Sequence, residues 1–118
     1  MRGHRVKCAV MPFCNTWERD THFVKHGHKL GAADASEYES MADEFMDGPL
    51  GDAHECSRPE HDRVRFGFVT HLEGIARPTP APECIRTFYP VMATTIARHG
   101  GEAGYFTFEC NRQHGVDL

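Results

Sequence analysis

The apolar residues change period at Gly48-Pro49, and that switch constrains the fold more than any other feature of the chain. Before it, Tyr38, Met41, Ala42, Phe45 and Met46 recur at intervals of three and four. That stripe predicts an amphipathic helix over 35–46 whose apolar face is core. Asp34 with Glu37, or Ser36 with Glu39, can form a capping box at its start, and Gly48-Pro49 ends it. After the switch, Val64, Phe66 and Phe68 alternate with Arg63, Arg65 and Gly67, a period of two that predicts a strand over 63–72. CIRTFY at 84–89 and GYFTFEC at 104–110 read as further strands, and VKCAVMPF at 6–13 as an edge strand because of Pro12. Pro90 can open a short helix over 91–99, closed by Gly100-Gly101. The connections are an acidic loop at 48–62, a turn starting at Glu73-Gly74, and a proline-rich insertion at 73–83; the tail 111–118 is polar and expected to fray. Helices first and strands later predict an α+β fold, with N-terminal helices packed on a roughly four-stranded antiparallel sheet. At 118 residues the chain is expected to be one domain, 1–118.

The net charge of −4 argues against a general polyanion binder, but its distribution is uneven. Residues 1–33 hold six Lys/Arg against two Asp/Glu, residues 34–62 one against ten, and residues 63–118 six against five. A phosphate ligand responds to the local field, so the basic first third matters more than the total. The acidic block reads as a solvated helix face and loop. No window approaches the ~18 apolar residues of a membrane span, so no membrane partner is expected. The apolar run after the charged N-terminus is too short for a signal peptide. Five cysteines at 8, 14, 56, 84 and 110 are an odd number, read as mostly reduced thiols in a cytoplasm. The single Trp17 reads as a core or staple residue.

The stretch THFVKHGHKLG at 21–31 carries the chemistry. As a helix it puts His22, Lys25, His26 and Lys29 on one face, with Phe23, Gly27 and Leu30 on an adjoining face that can pack inward. Asp20 or Thr21 can cap its start and Gly31 its end. Two imidazoles among ammonium groups can move a proton near neutral pH and hold an anion. Arg86 and Thr87 add a planar guanidinium fork and a hydroxyl. In a regular strand they point to opposite faces, so both serve one site only at a twist or an edge.

A metal site is the competing chemistry. His22 and His26 have the i, i+4 spacing of a helical zinc pair, and Cys8, Cys14, His54, Cys56 and His61 could add ligands. Position 23 is not Glu, so the metalloprotease motif is absent, and there is no CxxC. The third reading is a module without enzymatic activity that binds a host protein through the acidic segment and the proline-rich insertion.

His22-Phe23-Val24-Lys25-His26-Gly27, the Ser36-Glu37-Tyr38 helix with Ala42 and Phe45, Phe66-Gly67-Phe68-Val69, and Ile85-Arg86-Thr87-Phe88-Tyr89-Pro90 stand in that order over about residues 20–90. Their order and spacing resemble the barnase–EndoU–colicin–RelE-like nucleases, above all the small phage and polymorphic-toxin members. The resemblance implies the same α+β fold and an endoribonuclease needing no metal or cofactor, in which the 2′-OH attacks phosphorus to leave a 2′,3′-cyclic phosphate. By position it assigns His22, His26, Lys25, Arg86 and Thr87 to catalysis, with Lys25, Lys29 and Arg86 as phosphate ligands. It implies RNA as substrate, tRNA included, an immunity or host protein as partner, and action in the cytoplasm of a bacterial host cell. The acidic loop, the proline-rich insertion and residues 109–118 depart from the family's pattern.

Overall fold

The structure is a computed structural model and describes residues 10–112. Its elements are helix α1 (Thr16–His22), a π-helical turn (Phe23–Gly27), a 3-10 turn (His28–Leu30), helix α2 (Ala35–Asp47), strands β1 (Ala53–Ser57), β2 (Arg63–Gly67), β3 (Leu72–Arg77) and β4 (Cys84–Pro90), and helices α3 (Ala93–Arg98) and α4 (Glu102–Asn111). The strands form one antiparallel meander in the order β1-β2-β3-β4. The α+β class, the N-terminal helices and the four-stranded sheet are as the sequence predicts.

The helix read from the stripe at 35–46 is α2, and its boundaries have a local cause. Asp34 accepts a hydrogen bond from the Glu37 amide at 2.8 Å, while Glu37 Oε1 accepts one from the Ala33 amide at 2.6 Å. The acidic side chain thus meets the exposed amides of the first turn. At the other end no basic residue lies in the last turn. The sheet supplies the cations instead. Arg65 donates to the Phe45 and Gly48 carbonyls at 3.0 and 2.8 Å, and Arg63 to the Met46 carbonyl at 2.7 Å. Both arginines also pair with Glu55 on β1. Charge on the strands therefore satisfies the orphan carbonyls of the helix it packs on.

Antiparallel partners share a face, so the register sorts the residues. Arg65, Gly74 and Phe88 lie in one cross-strand row, and Phe66, Glu73 and Tyr89 in the next. The first face meets α2. A side chain at Gly74 would collide with Met46 and Phe45, so only glycine lets the helix approach there. Tyr38, Ala42, Met46, Ala76, Ile85 and Phe88 form the core on this side with Phe13, and Phe23 and Leu30 pack against it. Burying each large side chain contributes about 1.5–3 kcal/mol. The second face meets α3 and α4 through Phe66, Val91, Ile96 and Tyr105.

The sheet is thus covered on both faces, and several expectations are corrected. Residues 104–110 are helix, not strand: Gly100 and Gly101, with φ of 83° and 111°, turn the chain from α3 straight into α4. Tyr105 and Glu109, one helical turn apart, are its buried residues. The acidic loop contains β1, because Ala53–Ser57 pairs along β2. Glu73-Gly74 is strand; the chain turns at 68–71, where Asp52 accepts from the Val69 and Thr70 amides at 2.8 and 3.0 Å. The strand expected at 6–13 lies partly outside the described residues. Within them only Phe13 bridges to β4, beside Ile85, and Asp43 and Glu39 of α2 hold the Met11 and Phe13 amides. The helix expected over 21–31 starts earlier, capped by Asn15 rather than Asp20 or Thr21, and Gly31 ends it at φ 79°. Trp17 is 73% exposed and so is neither core nor staple.

The reading of reduced thiols is also corrected. Cys14 is bonded to Cys84 and Cys56 to Cys110, across 70 and 54 residues of sequence. Spacing alone cannot give such connectivity; the sheet creates it. Cys14 lies beside the β4 edge, and Cys56, in the Val64 row, faces α4. Cys8 lies outside the described residues. Among the described residues, no helix is long and apolar enough to cross a membrane.

Candidate active site

The site is built where the π turn meets β4, an outer strand of the sheet. Ile75 pairs with Thr87, but the next residue, Ala76, pairs with Ile85, which leaves Arg86 as an extra residue in β4. Such a bulge resets the alternation. Without it Ile85 and Thr87 would share a face. With it Ile85 enters the α2 core, and Thr87 falls in the Ile75 row on the opposite face. Thr87 Oγ1 there lies 3.4 Å from His22 Nδ1, a contact at the long limit of hydrogen bonding.

The histidines form part of a column of rings. His22 stacks on Phe13 at 6.2 Å between centroids and on His26 at 6.0 Å, with the two imidazoles 17° from parallel. His26 in turn lies 5.4 Å from Tyr89. The chain achieves this by widening to a π turn over Phe23–Gly27, which leaves Gly27 buried against the Phe23 ring. Single π turns of this kind are frequent at functional sites. Lys25 and Lys29 stand exposed beside the pair.

Burial lowers the pKa of both imidazoles from the usual 6.5. For His22, desolvation is the main cause, and Glu18 works against it while Lys25 adds to it. For His26, desolvation leads again, and His22, Lys29 and Lys25 all push in the same direction. The two histidines are therefore inequivalent: His22 has a carboxylate supporting its charged form and His26 has none.

Arg86 meets a buried carboxylate. Its Nε lies 3.0 Å from Asp62 Oδ2, an ion pair without the alignment of a hydrogen bond, and Asp62 is buried at the start of β2. Of the residues predicted for the site, the fold brings His22, His26 and Thr87 into one cluster with Lys25 and Lys29 alongside. It also places Arg86 against the Asp62 carboxylate.

A buried polar cluster on the α4 side escaped sequence reasoning. Glu73, fully buried on β3, accepts from Tyr89 at 3.2 Å and from Tyr105 through a short hydrogen bond. Glu109 of α4, also buried, is held by Arg58 at 3.0 Å and by Arg112 at 3.1 Å. Burial, then the nearby Glu109 carboxylate, pushes Glu73 well above the carboxylate range against the opposing pull of the two phenols. The signal in the sequence is a lone Glu amid Leu72, Gly74, Ile75 and Ala76, visible only once that segment is recognised as strand.

Among the described residues no three His, Cys, Asp or Glu side chains converge as a metal cage. Cys14 and Cys56, considered as ligands, are bonded to other cysteines. What the cluster offers is proton transfer beside cationic groups. No protein-family model matches the chain, and no curated protein aligns with it at a significant level.

Proposed function

We propose that the chain is an endoribonuclease that cleaves RNA without a metal, by attack of the 2′-OH on the adjacent phosphorus. The observation that carries this reading is the stacked His22–His26 pair, 6.0 Å apart, anchored by Thr87 and flanked by two lysines. RNA supplies its own nucleophile, so the protein needs only a base, an acid and cations for the phosphorane. The inequivalent environments suggest the assignment. His26, with only cations around it, is the neutral base that takes the 2′-OH proton. His22, with Glu18 favouring its charged form, is the acid. Its Nδ1–H can donate to Thr87, which leaves Nε2–H for the departing 5′ oxygen. The new P–O2′ bond closes the 2′,3′-cyclic phosphate as the P–O5′ bond breaks. Acid–base help of this kind contributes ~10²–10⁴-fold, and Lys25 and Lys29 add charge at the phosphate.

Arg86 acts through the strand in this reading. Its pairing with Asp62 holds the bulge that presents Thr87. The substrate class includes tRNA, an immunity or host protein is the expected partner, and the place of action is the cytoplasm of a bacterial host cell. The two disulfides fit a phage or toxin effector that passes through an oxidising compartment on the way.

The test is incubation of the protein with RNA in EDTA and analysis of the product ends. Cyclic phosphate ends that vanish in a His22→Ala variant support the reading. Cleavage that requires added zinc, or no cleavage at any pH between 5 and 8, overturns it.

A further inference from the structure

The stacked histidines end at a cleft. It has a volume of about 290 Å³ and runs between the π turn, the end of β4 and the α3–α4 pair. His26 and Lys29 line it from the π turn and the 3-10 turn that follows. Tyr89, Tyr105, His99 and Phe108 give it aromatic walls, and Thr95 closes it from α3. The rings are not isolated: His99 lies 4.2 Å from Phe108 and 5.7 Å from Tyr105. His26 Nδ1 is buried and meets no hydrogen-bond partner among the described residues. A buried polar atom without a partner is uncommon and needs a reason.

We propose that this cleft takes the nucleobase of a nucleotide whose phosphate lies against His26 and Lys29. The inference rests on the RNA-cleavage reading for the position of the phosphate, and it adds the neighbouring base as a recognised group. Three features support it. Small-ligand sites begin near 300 Å³, so the cleft suits one nucleoside and excludes a dinucleotide. Its walls are aromatic, and every base has a π face to lay on them. Its lining carries the cationic groups Lys29 and Arg112 beside His26, and the one carboxylate in it, Glu109, is already held by Arg58 and Arg112. A purely apolar ligand would leave His26 and Lys29 unused, and inorganic phosphate would leave the aromatic walls unused. The shared chemistry is a nucleotide, which can be a residue of RNA or a free mononucleotide.

The probes are the four nucleoside 3′-monophosphates, with ribose 5-phosphate and inorganic phosphate as controls, titrated calorimetrically. Thr95→Trp fills the cleft from its half-buried wall, and Phe108→Ala removes one ring. At least one nucleotide should bind tenfold or more tighter than ribose 5-phosphate, since stacking on an aromatic platform is worth about five- to 150-fold. Thr95→Trp should erase that advantage while leaving ribose 5-phosphate unchanged, and Phe108→Ala should reduce it in a chain that circular dichroism shows to be folded. Equal binding of nucleotides and ribose 5-phosphate, no binding of either, or an advantage that survives both variants overturns the proposal. RNA cleavage is scored separately. Base-dependent binding without cleavage keeps the cleft and discards the nuclease; cleavage that is indifferent to the flanking base and to Thr95→Trp keeps the nuclease and discards the cleft. Nucleotides that bind while RNA does not compete mark the free mononucleotide as the ligand.

Discussion

Thr87 Oγ1 and His22 Nδ1 are 3.4 Å apart although 65 positions separate them in the chain. The contact depends on one extra residue. The bulge at Arg86 turns Thr87 off the α2 face and onto the face where the end of α1 delivers the imidazole. Site geometry here is a property of the strand's register rather than of any local motif.

Replacing His22 or His26 with Ala is expected to lower RNA cleavage by ~10²–10⁴-fold each, with melting shifted by about 1 kcal/mol or less. Because burial lowers both pKa values, the rate maximum should lie below 6.5, where an acid–base pair of ordinary imidazoles would be centred. Stability has the matching sign. The unfolded imidazoles take up protons first as the pH falls below 6.5, so the native state weakens there, and each alanine variant should flatten that loss. A pH–rate profile and urea melts at pH 5 and 7 measure both; an optimum above pH 7 contradicts the assignment.

Arg86→Ala leaves the buried Asp62 carboxylate without its cation. A fully buried pair costs about 3–5 kcal/mol to break; with Arg86 23% exposed, about 2–3 is expected here. Arg86→Lys keeps the charge and should recover most of the stability. It cannot reproduce the Nε contact with Asp62 beside the bulge, so cleavage should fall at least tenfold while RNA binding changes little. Binding that collapses in Arg86→Lys would instead make Arg86 a direct phosphate ligand.

What the sequence reveals and hides follows from the range of the interactions. The α2 stripe is legible because its period is local, and so is its cap at Asp34. The histidine face is legible for the same reason, and Phe23, Gly27 and Leu30 do pack inward. GYFTFEC misleads because its alternating Tyr105, Thr107 and Glu109 fit period two, while Tyr105 and Glu109 also fit one helical turn. Tertiary contacts decide between them: Cys110 is bonded to Cys56, and Arg58 donates to the Glu109 carbonyl at 2.7 Å. The bulge has no signature in the residues themselves. It depends on which residue of β3 faces which residue of β4. The same is true of the Glu73 cluster, where Glu73, Tyr89 and Tyr105 come from two strands and a helix.

The Cys56–Cys110 bond closes 54 residues and ties α4 to β1. Replacing both cysteines with Ser should cost about 2–4 kcal/mol. The loss should be confined to the α4 side, since the α2 core is linked separately by Cys14–Cys84. Hydrogen exchange in the double variant should therefore quicken over Glu102–Asn111 while the α2 amides keep their protection. A uniform acceleration would mean that the two faces of the sheet unfold as one unit.

Glu73 gives the sharpest dependence on pH. Its folded pKa is raised above the unfolded value of 4.5 by burial and by Glu109. The native state therefore keeps a proton that the unfolded chain has released, and stability falls as the pH rises from 4.5 toward the raised value. Glu73→Gln keeps the shape and a hydrogen-bond acceptor for Tyr105 and Tyr89 but has no proton to lose. The variant should match the parent near pH 4.5 and exceed it at pH 8, each unit of raised pKa within that window being worth about 1.4 kcal/mol. Urea melts at pH 4.5, 6 and 8 make the comparison directly. Parallel curves for parent and variant would show that Glu73 is ionised in the native state, and that Arg58 or Arg112 compensates its charge together with that of Glu109.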